Sequence, residues 1–304
     1  MGQGNTPEPT VVNQKMTHPG VAFQWKYNLS APAAAFELPK ILDEVSGLSI
    51  GTNPNVIAAV QDELGVVYMI DKKTGALKNE YQFWKTGDYE GLEMVGDDMY
   101  VVKSSGTIYQ IKNMGTEAQE VIKHNTMLSK EHDVEGLCYD KKNDRLLLAC
   151  KGLGPKIEGA KEEIKAICSF QIAGGILDTV PVLTIRLKAI TDYMKAVDGI
   201  KDMKDFKEFF NPELLTLQFA PSAIAIHPIT NHIYVTSSKG KMLCVFQADG
   251  QVLHLEKLEK KIHPQPEGLY FEDDGTLYVS NEAKKGIAKL YRFDYQKGIG
   301  ADRR

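Results

Sequence analysis

The sequence predicts an all-β chain, a five-bladed β-propeller with four antiparallel strands per blade. Three observations predict it. First, a strand-opening motif recurs as EVSGLSI (Glu44–Ile50), DYEGLEM (Asp88–Met94), DVEGLCYD (Asp133–Asp140), PSAIAIHP (Pro221–Pro228) and PEGLYF (Pro266–Phe271). Second, the residue before its Gly or Ala is Ser46, Glu90, Glu135, Ser222 and Glu267, at intervals of 44, 45, 87 and 45 residues. Periods of about 40 to 50 residues are those of four-stranded blades. Third, each unit resolves into the same succession of strands and turns.

Strand A of each unit starts at the marker residue. A turn reading TNPN, VGDD, DKKND, HPITN or EDDG leads into strand B, which reads NVIAAV, MYVV, RLLLAC, HIYVT or TLYVS. Gly, Asn and Asp supply the backbone freedom that hairpin turns need, and β-branched and aromatic residues fit a pleated surface. Strand C follows as VVYMI, TIYQI, AICSF, MLCVF and AKLYRF. The 87-residue interval fits one blade with two insertions, Gly152 to Lys165 between B and C and Lys188 to Leu215 after D. Ile190, Tyr193, Met194, Val197, Ile200, Met203, Phe206 and Phe210 give the second insertion a helical period, so one or two short helices are expected there. Both insertions are expected over the face that carries the markers, as a ligand wall or lid, with an amphipathic helix packed on the blade flank as the alternative. The last unit lacks an outer strand. FQWKYNL, Phe23 to Leu29, is expected to supply it and so close the ring without exposed sheet edges. The organisation is then a leader over 1–20, the propeller over 21–296 with its helical insertion at about 188–215, and a tail over 297–304.

At 304 residues and 43% hydrophobic, the chain can bury a full core. A net charge of −4 leaves no basic footprint for nucleic acid. No apolar run approaches the ~20 residues that span a bilayer. Cys138, Cys150, Cys168 and Cys244 fall in expected strands without metal-ligand spacing and read as buried thiols, with a Cys150–Cys168 disulfide as the alternative. No nucleophile elbow, phosphate loop, dinucleotide fingerprint or zinc motif occurs, and no catalytic residue is assigned.

In a propeller the starts of the A strands and the B-to-C loops share one face, so the five markers ring one mouth of the axial channel. Three glutamates drawn toward one axis repel, and two charges ~4 Å apart cost roughly 4 kcal/mol at an effective dielectric near 20. A proton, a lysine or a hard cation offsets that, and oxygen ligands favour calcium or magnesium. Lys103 and Lys151 share blades with Glu90 and Glu135 and are expected to pair with them. Glu267 has Glu282 in its own blade and Asp62 in the next, so a metal is expected nearest that side. Glu90, Glu135, Glu267, Glu282 and Asp62 are thus the candidate metal ligands, and Ser46, Lys103, Lys151, Ser222, Ser238 and Asn281 the candidate ligand pocket. A plainer reading stays open: Glu-Gly-Leu only marks the strand start, with the glycine allowing a tight path.

EVSGLS, the EGL pair, and QPEGLYFEDDGTLYVSNE followed by LYRF resemble the SdiA-regulated, YjiK-like bacterial proteins, distantly related to NHL-repeat propellers. The resemblance spans Leu38 to Tyr295. It implies a five-bladed propeller of the periplasm or cell envelope, with calcium at the axial mouth held by Glu90, Glu135 and Glu267, and Glu282 as a further ligand. The Gly, Pro, Thr and Asn-rich start MGQGNTPEPTVVNQ reads as a tether, and the expectation is a monomer, lipoprotein-like, whose export signal or membrane anchor lies outside this sequence. Two functions follow. One is a module that binds a small molecule, glycan or peptide at the mouth. The other is a calcium-dependent hydrolase acting on an ester, lactone or phosphoester.

Overall fold

The computed structural model describes residues 23–152, 163–197, 200, 203–211, 213 and 217–296. The expected leader and tail, and most of the Gly152 to Lys165 insertion, lie outside the described residues. Five antiparallel sheets run in order along the chain, each with its first strand innermost. Blade one comprises Val45–Ile50, Val56–Gln61, Val66–Asp71 and Leu77–Gln82, and blade two Tyr89–Val95, Asp98–Lys103, Ile108–Lys112 and Glu120–His124. Blade three comprises Val134–Asp140, Arg145–Cys150, Ile164–Gln171 and an outer edge broken into Ile176–Leu177 and Leu183–Arg186. Blade four comprises Pro221–Ile226, Ile233–Ser237, Met242–Phe246 and Val252–Lys257. Blade five takes Pro266–Phe271, Leu277–Asn281 and Lys289–Phe293 from the end of the chain.

Burial falls outward along each blade for a simple reason. The second strand of blade one, VIAAVQ, is buried on both faces because a neighbouring blade covers each. Its outer strand, LKNEYQ, is mostly exposed. The core is accordingly divided into five apolar clusters, one between each pair of adjacent blades.

The fourth strand of blade five is Ala34–Glu37, which pairs antiparallel with Lys289–Arg292. This corrects the expectation for Phe23 to Leu29. Those residues alternate apolar and polar, but Phe23, Trp25, Tyr27 and Leu29 turn their apolar side into the wedge between blades four and five. There Trp25 stacks on His254, with ring centroids 4.3 Å apart. The Tyr27 hydroxyl donates to the Gly275 carbonyl at 2.6 Å and lies 2.8 Å from His227 Nε2, while Leu29 O meets His263 Nε2 at 3.0 Å. Burial pushes both histidines down to about 4, so each is a neutral latch for this segment.

The insertion after blade three forms α1, Leu187–Ala196, and α2, Met203–Phe209. Leu187, Ile190 and Met194 recur at helical spacing and, with Phe206 and Phe210, join the core between blades three and four. The insertion is thus packed on the blade flank. Its contact with the marker face is Phe209, which lies against Gly240 in the B-to-C turn of blade four and under Lys257 Nζ, 5.0 Å from its ring centroid. All four cysteines are free and buried, with the Cys150 and Cys168 sulfurs 4.0 Å apart.

Candidate functional site

Every marker residue sits at the same irregularity. The ladder between first and second strands shifts register between Val45 and Gly47, Tyr89 and Gly91, Val134 and Gly136, Pro221 and Ala223, and Pro266 and Gly268. The skipped residues are Ser46, Glu90, Glu135, Ser222 and Glu267. A bulge leaves one residue out of the ladder and re-aims its side chain, and here it does so five times around one axis. The glycines that follow have a separate cause. A methyl group on Gly47 would lie 2.8 Å from Gly91 Cα, and one on Gly91 would lie 2.7 Å from Leu137 N. Inner strands of adjacent blades meet there, and only hydrogen fits.

Four of the markers, Ser46, Glu90, Glu135 and Glu267, with these glycines, Ala223 and the Leu or Ile that follows in each blade, enclose a narrow axial space of about 10 Å³. That is room for one water-sized sphere. Glu90, Glu135 and Glu267 all line it. Burial, then the charge of Glu135, then a hydrogen bond to the Asp88 carboxyl push Glu90 far above the ordinary carboxylate range. Burial and the charges of Glu135 and Glu282 push Glu267 up as well. Glu135 is raised by burial but opposed by Lys151, whose Nζ lies 2.8 Å from its Oε1 and 3.9 Å from Asp133. Asp62 is pushed up to about 7 by burial and by Glu44, with which it shares a hydrogen bond, and its Oδ1 is buried without a partner. Glu282 is raised by burial and by Glu44. The five candidate ligands therefore share one electrostatic environment. Among the described residues, no three or more His, Cys, Asp or Glu side chains are already arranged to hold a metal ion; the glutamates surround the space without converging on one point.

The candidate pocket residues divide. Lys151 is at the site, as described. Asn281 is 1% exposed, with Oδ1 unpartnered and Nδ2 3.5 Å from His263 Nδ1. Ser46 donates to the Glu44 carbonyl at 3.1 Å. Ser222 donates across the blade boundary to the Pro266 carbonyl at 2.7 Å, so it staples blade four to blade five. Lys103 does not reach Glu90; its Nζ sits over the Tyr89 ring, 5.6 Å from the centroid. Ser238 lies in the B-to-C turn, where its carbonyl accepts from Lys241 Nζ. The acids two residues before the markers, Glu44, Asp88 and Asp133, take part in the charge cluster. Their spacing was visible as an acid-x-marker pattern, but it fits a solvated loop equally well. Glu93 was missed altogether. Its signal was a charge at the third position after a marker, where the other blades place Ser49, Cys138, Ala225 and Tyr270.

Comparison with known proteins supports the architecture. The structure of Myxococcus xanthus glutaminyl cyclase is similar with a TM-score of 0.56 at 10% identity, over 88% of this chain and 96% of that one. A nidogen/laminin complex gives 0.48 at 11% identity, over 78% and 72%. The PQQ-bound aldose sugar dehydrogenase of Streptomyces coelicolor gives 0.45 at 12% identity, over 86% and 100%. At 10% identity the likeness to the cyclase is one of fold alone. No curated protein matches significantly. The sequence pattern of the SdiA-regulated family matches residues 23–157 and 196–288, most of the chain, and with its five-fold marker motif and ring of blades this protein belongs to the SdiA-regulated family.

Proposed function

We propose that the glutamate-lined mouth is a site for a hard divalent cation, calcium by its oxygen donors, and that the propeller is a binding module presenting that mouth to a ligand. The observation that supports this reading most is Glu90. It is drawn into a cavity beside Glu135 and Asp88, and among the described residues no lysine or arginine lies within ion-pair distance of it. Only a proton or an added cation relieves that arrangement. The donors fit calcium, which takes carboxylate and carbonyl oxygens in flexible geometry. Glu90, Glu135 and Glu267 would hold it, with Glu282 and Asp62 beside them. When bound, the ion supplies positive charge at the mouth that an anionic or hydroxyl oxygen of a ligand can meet. The protein's own part is to keep the carboxylates close, through the bulges and the axial glycines, and to keep Lys151 on Glu135. The buried histidines His227 and His263 are occupied in holding the N-terminal segment, which favours binding over hydrolysis.

The test is a thermal melt and a calorimetric titration of chelator-treated protein with calcium. A cation at about a hundred times its Kd should raise Tm by about 5–10 °C. The triple variant E90Q/E135Q/E267Q should lose that response. An unchanged Tm with no heat of binding overturns the reading.

A further inference from the structure

The opposite end of the axis holds a second cavity, of about 640 Å³, within the range of about 300–1,000 Å³ typical of small-molecule sites. The turns joining first to second strands and third to fourth strands form its rim, and the two axial spaces have only Leu269 in common among the described residues. Much of its wall is apolar, including Ile50, Ala225, Leu269, Tyr270 and Phe271. Its basic side chains near the wall are already matched. Lys72 Nζ lies 2.6 Å from Glu272 Oε1 and Arg145 Nε lies 2.9 Å from Asp140 Oδ2, while Lys141 and Lys142 are exposed at the rim.

Glu93 is different. Its carboxylate joins the inner strands of three consecutive blades: Oε1 accepts from Ser49 Oγ at 2.6 Å and from its neighbour Met94 N at 3.2 Å, and Oε2 accepts from Tyr139 N at 3.2 Å. The cavity is the opening through which it is reached, and protein surrounds the rest. Burial pushes it up to about 7 even though all three hydrogen bonds favour the ionised form. Among the described residues no lysine, arginine or histidine lies within ion-pair distance of it. Three donors occupy three of the roughly four acceptor positions of a carboxylate. One on Oε2 is left for a ligand.

We propose that this lower cavity binds a small molecule carrying a protonated amine on an apolar or aromatic body, with the ammonium paired to Glu93 and the body against Ile50, Leu269, Tyr270 and Phe271. Charge decides the class. A carboxylate or phosphate ligand would set like charge against Glu93, and a neutral hydroxyl would leave the carboxylate without a counter-ion. An ammonium supplies both a donor and the missing charge, and such charge-assisted bonds are about twice as strong as neutral ones. The Tyr270 ring already carries Lys72 Nζ, 5.4 Å from its centroid, so the ammonium is held by Glu93 and the rings serve as apolar wall. The site is independent of the glutamate mouth, so it stands or falls without the calcium reading.

The experiment uses the full chain in chelator at pH 8, with three probes of one shape: 2-phenylethylamine, 2-phenylethanol and 3-phenylpropanoate, titrated by calorimetry and by ligand-observed NMR. The amine should bind at least tenfold more tightly than either analogue. Glu93→Gln, which keeps an acceptor but removes the charge, should weaken the amine at least tenfold and leave the alcohol unchanged. Ile50→Trp narrows the cavity from an exposed position and should weaken all three probes while the fold persists, a check that survives if Glu93→Gln misfolds. Amine binding that is absent, that Ile50→Trp leaves untouched, or that is no tighter than the carboxylate's overturns the proposal, as does unaltered amine affinity in a folded Glu93→Gln protein.

Discussion

Lys151 Nζ lies 2.8 Å from Glu135 Oε1, whereas Lys103, one position earlier in the register of its own blade, sits over the Tyr89 ring, and among the described residues no lysine pairs with Glu90. Burial opposes the charge on Lys151, but Glu135 and Asp133 outweigh it and hold the ammonium protonated above its ordinary range. The mouth is thus asymmetric, neutralised at blade three and acid-rich at blades one, two and five. Several experiments probe that arrangement.

Lys151→Met removes the cation at the mouth that is paired with a marker glutamate. In chelator it should destabilise by about 1–2 kcal/mol, less than the cost of breaking a fully buried pair because Lys151 is partly exposed. Calcium affinity should rise, since the site becomes more negative. Melting and titration of the variant check both, and a variant that binds calcium more weakly would exclude Glu135 from the site.

Metal-free protein should lose stability as pH rises. Asp62, Glu90, Glu135 and Glu267 all have pKa values raised on folding, chiefly by burial. Between its unfolded and folded values such a group keeps its proton only in the folded chain, so unfolding releases protons. The contribution is fully present below the ordinary carboxylate range, declines toward about 7 for Asp62, and continues to decline above that for Glu90. Buried His227 and His263, lowered to about 4, work the other way below about pH 6.5, so the comparison is made above that range. Melts at pH 7 and pH 8.5 in chelator should show the higher Tm at pH 7, and calcium should raise Tm more at pH 8.5; a metal-free Tm that increases from pH 7 to pH 8.5 contradicts the raised values.

Gly91→Ala should destabilise by about 3 kcal/mol, because the added methyl meets Leu137 N at 2.7 Å in a close-packed contact that neither backbone can leave. Gly96→Ala is the control. A methyl there has nothing within 4 Å, and only the positive φ of 60° opposes it, at about 1 kcal/mol. Denaturant melts separate them, and equal losses would mean that the axial approach is looser than the structure shows.

Removing the chain through Leu29 exposes the cavity that Tyr27 and Leu29 fill, worth roughly 1.5–3 kcal/mol for each buried side chain, but leaves the closing strand in place. Removal through Glu37 also takes away the strand that pairs with Lys289–Arg292. The first truncation should fold with a lowered Tm, and the second should aggregate or fail to fold. Two truncations that melt alike would show that the ring does not depend on Ala34–Glu37.

The repeat, the turn chemistry and the β-branched strands are local properties, and they determined the five blades, the strand order and the helical character of the insertion directly from the sequence, while its place on the flank was set by packing between blades three and four. The markers were equally legible, because a bulge repeated in every blade leaves a residue pattern at a fixed period. That an N-terminal strand closes the last blade was legible too, but which residues form it was not. FQWKYNL alternates like an edge strand, yet its aromatic side chains gain more from the wedge between blades four and five, and the shorter AAFE has the hydrogen-bonding register that the edge requires. The partners of Lys103 and Lys151 were decided by register: Lys103 pairs with Tyr89 as Cys150 pairs with Val134, so Lys151 stands one position further on and its ammonium group meets different neighbours. Glu93 lay furthest from view. It stands near Ser49 and Tyr139 because three blades are wrapped about one axis, and residues 44 and 46 positions apart in sequence become adjacent only when the ring is complete.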